Sequence, residues 1–174
     1  MNSLLKPCFY ILLFLIVCSC ASAPGGAVQY DYGEGAISLN LKADSQLNRY
    51  NGVPHTLSTC VYQLSDSKEF NQLSSNRDGL YKLLGCEKFG PSVKGTERVI
   101  LHPGKDEMKT LDRVEGSRFV AVAAGYYNIR KDEIVRIFEV PVIQERKGFL
   151  GQNMISRAGD LNINLSMGPQ QIKD

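Results

Sequence analysis

The chain has 174 residues, of which 43% are hydrophobic and 22% are charged, and its formal net charge is +2. This composition is typical of a globular domain and excludes global disorder, and the near-neutral charge disfavours a nucleic-acid-binding protein. Histidine occurs only at His55 and His102, which excludes histidine-rich metal sites.

The first residues form a targeting segment. Lys6 precedes an apolar run at residues 9–17, far shorter than the ~20 residues that cross a bilayer as a helix and typical of a signal peptide. The run ends in Val17-Cys18-Ser19-Cys20, which resembles the bacterial lipobox, where a peptidase cuts before a cysteine that carries diacylglycerol. We therefore expect a signal peptide over residues 1–19 and lipid on Cys20. An ordinary signal peptide that contains cysteines is the alternative.

The residues after the lipobox predict a membrane-tethered domain. Several acyl chains give stable anchoring, and no cofactor other than this covalent lipid on Cys20 is expected. In lipoproteins of Gram-negative bacteria an aspartate after the cysteine usually retains the protein at the inner membrane, so Ala21 points to the outer membrane. Residues 20–35 are rich in Gly, Ala and Pro and predict a flexible tether, followed by a domain over residues 36–174.

Two cysteines remain for the folded domain. Cys8 and Cys18 leave with the signal peptide and Cys20 takes the lipid, so Cys60 and Cys86 form an even pair in an oxidising compartment. We expect a disulfide between them. The alternative is two separate buried thiols, because a free cysteine packs as a small hydrophobic residue.

The first strand and the loop after it stand out in the pattern. Ile37, Leu39 and Leu41 alternate with polar residues, which indicates a half-buried strand. The polar segment that follows, residues 44–56, contains Asn51-Gly52 and is longer than most hairpin connections. Long loops of this kind are often functional.

A second strand and a helical insert come next. Residues 58–64 alternate so that Cys60 points towards the core. Asp66 is expected to cap a helix, with Glu69 at the capping-box position, and the helical insert spans about residues 66–85.

The rest of the chain has the two-residue period of strands. We expect strands at residues 98–102, 118–127, 134–143 and 161–167, with Pro141 marking an edge or a bulge. Six or more strands with one helical excursion and no alternation of strands with helices predict an all-β protein, a two-sheet antiparallel β-sandwich.

No motif for catalysis is present. The sequence has no nucleophile elbow, P-loop, dinucleotide fingerprint or HExxH, so we expect no catalytic residues and no enzyme activity. The remaining cysteines and histidines match no zinc-finger spacing, and no metal site is expected. His102 is interpreted as a surface residue and His55 as a contact residue. Tyr126 and Tyr127 fit either core packing or an interface anchor.

Several short patterns resemble one family through their order along the chain. They are the lipobox, Leu47-Asn48, Gly52, Pro54, Val61-Tyr62-Gln63-Leu64, Phe70, Leu73, Leu101, Pro103-Gly104 and Val122-Ala123-Ala124-Gly125-Tyr126. Together they resemble the TssJ family, the outer-membrane lipoproteins of the bacterial type VI secretion system. The resemblance covers roughly residues 36–143 and includes the signal peptide.

This resemblance implies a fold, a location and a partner. The fold would be a transthyretin-like sandwich with a helical segment, lipid-anchored at the periplasmic face of the outer membrane. It would bind the periplasmic domain of the inner-membrane protein TssM and so tether the secretion complex. The family's contact loop corresponds to residues 44–56, and the implied contact residues are Gln46, Asn48, Arg49, Tyr50, Asn51 and His55. The Cys60/Cys86 pair departs from the family, and the stretch after Ile143 is unplaced.

Two other functions fit the same pattern. A different periplasmic sandwich lipoprotein, acting as a small-ligand carrier or a protease inhibitor, would need a concave apolar pocket. A membrane-tethered hydrolase would need two acidic groups that converge in a cleft, and no spacing in the sequence indicates such a pair.

Overall fold

The computed structural model describes residues 27–147 and 153–173. The predicted signal peptide, Cys20 and the first part of the predicted tether lie outside the described residues. The elements in chain order are β1 (Gly33–Ala43), β2 (Leu57–Leu64), α1 (Lys68–Ser74), α2 (Arg77–Leu84), β3 (Val93–Leu101), β4 (Glu107–Arg113), β5 (Phe119–Ala124), α3 (Lys131–Ile134), β6 (Val135–Glu139), β7 (Val142–Lys147), β8 (Asn153–Ala158), β9 (Leu161–Met167) and β10 (Ile172–Lys173). No helix within these ranges is long and apolar enough to span a membrane.

Two four-stranded sheets form a sandwich. The first sheet has the strand order β10-β9-β1-β4, the second has the order β3-β2-β5-β6, and β7 and β8 form a separate hairpin. The predicted sandwich with a helical insertion is confirmed. One pair departs from the antiparallel expectation, since β1 and β9 are parallel, with Ile37 opposite Leu161 and Ala43 opposite Met167. The other described strand pairs are antiparallel.

The main core lies between the two sheets. Leu161, Ile163, Leu165 and Met167 of β9 are buried and alternate with exposed residues, which is the alternation expected from the sequence. They pack in one cluster with the inward residues of β1 and of the second sheet. Each such side chain contributes about 1.5–3 kcal/mol when fully buried, so this layer dominates the stability of the fold.

A second core lies on the outer face of the second sheet, under α1 and α2. Tyr62 packs against Phe70 and Phe89, with ring centroids 5.8 Å and 5.3 Å away. Its hydroxyl donates to the carbonyl of Leu83, and burial raises the pKa of Tyr62 to about 12. Cys60 belongs to this cluster, so its side chain points to the core under the helices and not to the core between the sheets.

The start of α1 differs from the expected capping box. The N-cap residue is Ser67, and the Asp66 carboxylate accepts from the Lys68 amide at 2.7 Å. Glu69 does not reach back to the cap, because its carboxylate accepts the hydroxyl of Ser92 at 3.0 Å. The expected helix therefore forms, but its first turn is tied to the loop before β3.

The predicted strand at residues 134–143 is two strands in the structure. Pro141 lies between β6 and β7, and its carbonyl accepts the Gly159 amide at 2.7 Å. Because proline has no amide hydrogen to continue a strand ladder, the chain leaves the second sheet there and enters the β7–β8 hairpin. Strand β4 was not expected either, because its sequence is mostly polar and Met108 is 80% exposed.

The direction of β1 divides the molecule into two ends. We call the end where β1 begins the amino-terminal end; it includes residues 27–33, the turn at residues 115–116 and the base of the β7–β8 hairpin. We call the end where β1 finishes the loop end; it includes residues 44–56, 125–130 and 167–171. At ~3.3 Å per residue, the 11 residues of β1 separate the two ends by about 35 Å.

Candidate functional site

The loop at residues 44–56 is held in place by backbone hydrogen bonds. The Arg49 amide donates to the carbonyl of Pro169 at 2.6 Å, and the His55 amide donates to the carbonyl of Leu47 at 3.0 Å. Leu47 itself is fully buried in the main core. The loop is therefore a fixed surface over the end of β9, although it contains little regular secondary structure.

A two-residue hairpin turn forms the tip of this loop. The amides and carbonyls of Tyr50 and Val53 bond to each other in both directions, at 2.9 Å and 3.0 Å. Asn51 and Gly52 occupy the turn with φ angles of 49° and 82°. Two central residues with positive φ define a type I′ turn, for which Asn-Gly is the preferred sequence. The turn places Tyr50 and Val53 side by side on one face.

Asn48 connects the loop to the end of β5. Its side-chain nitrogen donates to the carbonyl of Thr56 at 2.8 Å, and its side-chain oxygen accepts the Tyr127 amide at 2.9 Å. Asn48 also has a φ of 47°, a left-handed conformation that asparagine tolerates better than most residues. This buried amide fixes the spacing between Tyr50 in the loop and Tyr127 after β5.

Three rings and the neighbouring Val53 form a largely exposed surface, which we call the aromatic platform and define as Tyr50, Val53, His55 and Tyr127. Tyr50 and Tyr127 are stacked, with centroids 4.5 Å apart and planes inclined by 17°. His55 meets the edge of Tyr127 at 5.0 Å. Tyr50, Val53 and Tyr127 are each at least half exposed. Rigid aromatic side chains at the surface are typical anchors of protein interfaces.

A cleft of about 500 Å³ lies beside the platform. His55 and Tyr127 form one wall, Tyr81 of α2 and Ile100 of β3 line other parts, and Tyr81 and Ile100 are both exposed. The cleft therefore extends the apolar surface of the platform onto the helical insert.

A disulfide fixes the helical wall of this cleft. The structure joins Cys60 of β2 to Cys86, which follows α2, with a Cα–Cα distance of 5.1 Å. Leu84, at the end of α2, lines the cleft. The bridge thus holds the end of α2 against the second sheet, next to the surface that the loop provides.

The predicted contact residues do not all lie at the surface. Gln46, Arg49, Tyr50 and Asn51 are exposed and His55 is half-buried. Asn48 is buried and both ends of its amide are bonded within the chain, so it shapes the loop and does not present its side chain to solvent.

Two residues of the platform were missed by the sequence-based contact set. Val53 follows Asn-Gly, and the type I′ turn that this pair favours places it beside Tyr50. The sequence alone leaves Tyr127 as either a core residue or an interface anchor, and only the structure shows that it is exposed beside the buried Tyr126. Tyr126 is 2% exposed and its hydroxyl donates to the carbonyl of Gln171 at 3.0 Å, so the two tyrosines divide core packing and surface between them.

The loop end also contains the carboxylate of Asp44. The Gln46 amide donates to the Asp44 carboxylate and holds the pKa of Asp44 below its usual value, with a smaller effect from Lys173. Within the described ranges no cluster of three or more histidine, cysteine or acidic residues could hold a metal ion. The chemistry that the loop end offers is stacking, apolar packing and hydrogen bonding to another macromolecule.

Comparison with known families decides the class of the protein. The family model T6SS-SciN, which describes type VI secretion lipoproteins including VasD, EvfM and TssJ, matches residues 35–166. The chain belongs to this family. It is thus a TssJ-family lipoprotein of the type VI secretion membrane complex, and the predicted resemblance is confirmed. The family is one of secretion-apparatus lipoproteins and not a family of enzymes. A search of curated proteins finds no match.

Solved structures share the fold. The T6SS lipoprotein TssJ1 from Pseudomonas aeruginosa has a TM-score of 0.54 and 18% identity over 83% of this chain and 94% of that chain. Serratia marcescens Lip, a membrane-bound component of the type VI secretion system, has a TM-score of 0.56 and 20% identity over 79% and 94%. A structure titled as the TssM C-terminal domain from EAEC also matches, with a TM-score of 0.56 and 16% identity over 79% and 94%.

Proposed function

We propose that this lipoprotein is anchored in the outer membrane by acyl chains on Cys20 and holds the periplasmic domain of a TssM-type inner-membrane protein with its loop end. In this role it connects the secretion complex to the outer membrane and performs no chemistry. The observation that carries the proposal is the preorganised loop at residues 44–56, whose exposed rings stand on a rigid sandwich.

The preformed shape of the loop supports a binding role. Its backbone is fixed by bonds to Leu47 and Pro169, and Asn48 fixes its distance from Tyr127. Binding to a preorganised surface avoids the entropy cost of ordering a loop, which is about 0.5–1.5 kcal/mol for each immobilised side chain. Tyrosine and arginine are the residue types most enriched at interface hot spots, and Arg49 and Tyr50 are adjacent at this surface.

The position of the loop supports a tethering role. The chain arrives from Cys20 at the amino-terminal end, runs through β1 and enters the loop directly from Ala43. Tension between lipid and partner would therefore pass along one continuous strand about 35 Å long, paired on both sides by β4 and β9. The folded sandwich would transmit this load without unfolding.

Partner binding tests the loop assignment. The mature protein and the periplasmic part of the co-encoded TssM are mixed, and their dissociation constant is measured by calorimetry. Replacing hot-spot residues costs about 2 kcal/mol or more, so Arg49→Ala with Tyr50→Ala should weaken binding by about 30-fold or more. The matched control, Arg146→Ala with Met154→Ala at the amino-terminal end, should bind as the wild type does. Equal affinity of the loop variant and the wild type would remove the loop from the interface.

Membrane fractionation tests the anchor separately. Replacement of the acylated cysteine, Cys20→Ser, removes the buried methylenes that stabilise anchoring at ~0.8 kcal/mol each, and the protein should no longer co-fractionate with membranes. Ala21→Asp should keep the protein on membranes but shift it from the outer to the inner membrane. Retention of the Cys20→Ser protein in the outer-membrane fraction would show that acylation at Cys20 is not the anchor.

A further inference from the structure

The β7–β8 hairpin lies outside both cores except at its base, where Ala158 is buried in the main core. It is a two-stranded ribbon in which Val142 pairs with Ala158 at its base and Arg146 pairs with Met154 further out. Away from the base its described residues are exposed or half-buried. An isolated two-stranded hairpin is at best marginally stable in water, so a ribbon of this kind gains from a surface that covers it.

The chain segment that leads to the membrane anchor runs along this hairpin. Gln29 forms a parallel bridge with Arg157, in which the Gln29 amide donates to the carbonyl of Ser156 at 3.0 Å and the Ala158 amide donates to the carbonyl of Gln29 at 2.9 Å. Gln29 lies nine positions after Cys20. A fully extended segment of that length spans about 30 Å at most. The part of the hairpin that pairs with Gln29 therefore lies within about 30 Å of any membrane that holds Cys20.

One face of the hairpin combines apolar and basic side chains. Val142 is 44% exposed and Met154 47%, and Arg146, which pairs with Met154, is exposed on the same face. Ile143 lies on the opposite face with Arg157, which forms an ion pair with Glu145. This combination suits an anionic lipid surface, where aliphatic groups enter the headgroup region and cations remain among the phosphates.

We propose that the β7–β8 hairpin lies against the phospholipid headgroups of the membrane that carries the acyl anchor. The proposal rests on acylation of Cys20. The acyl chains hold the hairpin at a high local concentration of lipid, so a contact that binds a free protein only weakly becomes effective. The contact orients the domain, because it keeps the amino-terminal end on the membrane and directs the aromatic platform, about 35 Å away, towards the periplasm.

A single introduced tryptophan measures which end touches the lipid. The sequence contains no tryptophan, so Met154→Trp on the hairpin and Tyr50→Trp at the loop end each provide a unique fluorophore. Each acylated variant is reconstituted into phosphatidylethanolamine–phosphatidylglycerol vesicles with brominated acyl chains. A hairpin seated about 5–10 Å into the headgroup region should give about threefold more quenching for Met154→Trp than for Tyr50→Trp. Equal quenching of the two variants, whether weak or strong, would overturn the proposal.

A charge variant without the anchor tests the lipid preference. The mature chain with Cys20→Ser is exported with an ordinary cleavable signal and mixed with vesicles that contain phosphatidylglycerol. Arg146→Gln should reduce its partition coefficient about fivefold, since each basic residue near an anionic surface contributes about 1 kcal/mol. The matched variant Arg49→Gln at the loop end should partition as the parent does. Equal partitioning of the Arg146→Gln and Arg49→Gln proteins would contradict a lipid contact by the hairpin.

The outcomes separate this proposal from the proposed anchor and partner. If Cys20 carries no lipid, the proposed anchor is wrong, and the vesicle partitioning of the Cys20→Ser chain with and without Arg146→Gln still decides whether the hairpin binds lipid. If Arg146→Gln retains vesicle partitioning but loses affinity for the periplasmic part of TssM, the hairpin is a protein contact and the lipid proposal is wrong.

Discussion

Each end of the sandwich contains a buried polar side chain that bonds to the backbone, Arg113 at the amino-terminal end and Asn48 at the loop end, and these two side chains have different roles. Arg113 holds the amino-terminal end, where its guanidinium donates to the carbonyls of Gly159 and Asp31 at 2.7 Å and 3.3 Å. Asn48 holds the loop end with one donated and one accepted hydrogen bond. A guanidinium has several donors in a fixed geometry and can tie separate segments together. An amide that both donates and accepts is suited to setting the position of one backbone relative to another.

This difference fits the loads that the two ends would carry. At the amino-terminal end the chain segment before β1, the start of β9 and the hairpin must stay together when the tether is pulled. Gly33 leaves room for the Arg113 side chain, since a Cβ atom at position 33 would lie 2.8 Å from Nη2 of Arg113. At the loop end the requirement is a surface of constant shape. At the amino-terminal end Arg113 thus joins separate chain segments, whereas at the loop end Asn48 keeps an exposed surface in a fixed shape.

Removing the clamp at the amino-terminal end should have the largest effect on stability. Arg113→Ala leaves the carbonyls of Gly159 and Asp31 without their charged donor and should lower the free energy of unfolding by about 3 kcal/mol in urea denaturation. Hydrogen exchange at the amides of Gln29 and Ala158 should accelerate. Affinity for the partner should stay within about twofold, which is less than 0.5 kcal/mol. A loss of partner affinity as large as that of Tyr50→Ala would show that the two ends are not separate.

Removing the amide at the loop end should cost less stability but more affinity. Asn48→Ala deletes two hydrogen bonds. It also places alanine at φ 47°, a left-handed conformation that asparagine tolerates better. We therefore expect the free energy of unfolding to fall by about 2 kcal/mol. The control is Asn48→Gly, which relieves the backbone strain and still lacks the bonds. Partner binding should weaken in both variants, because Tyr127 is no longer held beside Tyr50. Wild-type affinity in the glycine variant would assign the role of Asn48 to conformation alone.

The local sequence pattern predicts the sandwich and its long surface loop. It does not predict the features that depend on tertiary contacts. The alternation in β9 is found in the structure as expected, and the Asn51-Gly52 pair adopts the type I′ turn that this sequence favours. Strand β4 is mostly polar and exposed, so it gives no hydrophobic period; it exists because its backbone pairs with β1. The break at Pro141 was visible as an edge signal, but the transfer of the chain to a separate hairpin depends on contacts with Gly159 and residue 29.

The sequence predicts which segment of the chain forms the candidate site, but not which of its side chains are exposed or which distant residues join them. Length and polarity select residues 44–56, and residue type selects Arg49 and Tyr50. Burial cannot be read from a polar loop, so Asn48 was grouped with its exposed neighbours although it is 4% exposed. Tyr127 lies far from the loop in sequence, and its stacking on Tyr50 follows only from the register of β5 with β2.

Two glycines with similar φ angles, one at each end of the sandwich, allow the two ends to be compared by substitutions with a smaller expected effect. Gly52 at the loop end and Gly116 at the amino-terminal end have φ angles of 82° and 80°, and a Cβ atom would meet no close contact at either. Each glycine-to-alanine change should therefore cost about 1 kcal/mol from backbone strain alone, measured by thermal unfolding. Only Gly52→Ala should also weaken partner binding, because the turn positions Tyr50. Equal binding by both variants would mean that the type I′ turn does not shape the interface.

The smallest effect concerns pH at the amino-terminal end. The Asp112 carboxylate accepts the Tyr32 hydroxyl at 2.5 Å and the Gly35 amide at 2.8 Å, and these bonds, the first above all, lower the pKa of Asp112. A lowered folded-state pKa contributes stability that is complete above the unfolded value of about 3.9 and is lost as pH falls through the folded value. The Tm of Asp112→Asn should therefore lie slightly below that of the wild type from neutral pH down to about pH 4, and the two should converge in stronger acid. A difference that stays constant into stronger acid would show that the asparagine loses packing rather than a charge-assisted bond, and the ionised form of Asp112 would then contribute nothing to holding the segment before β1.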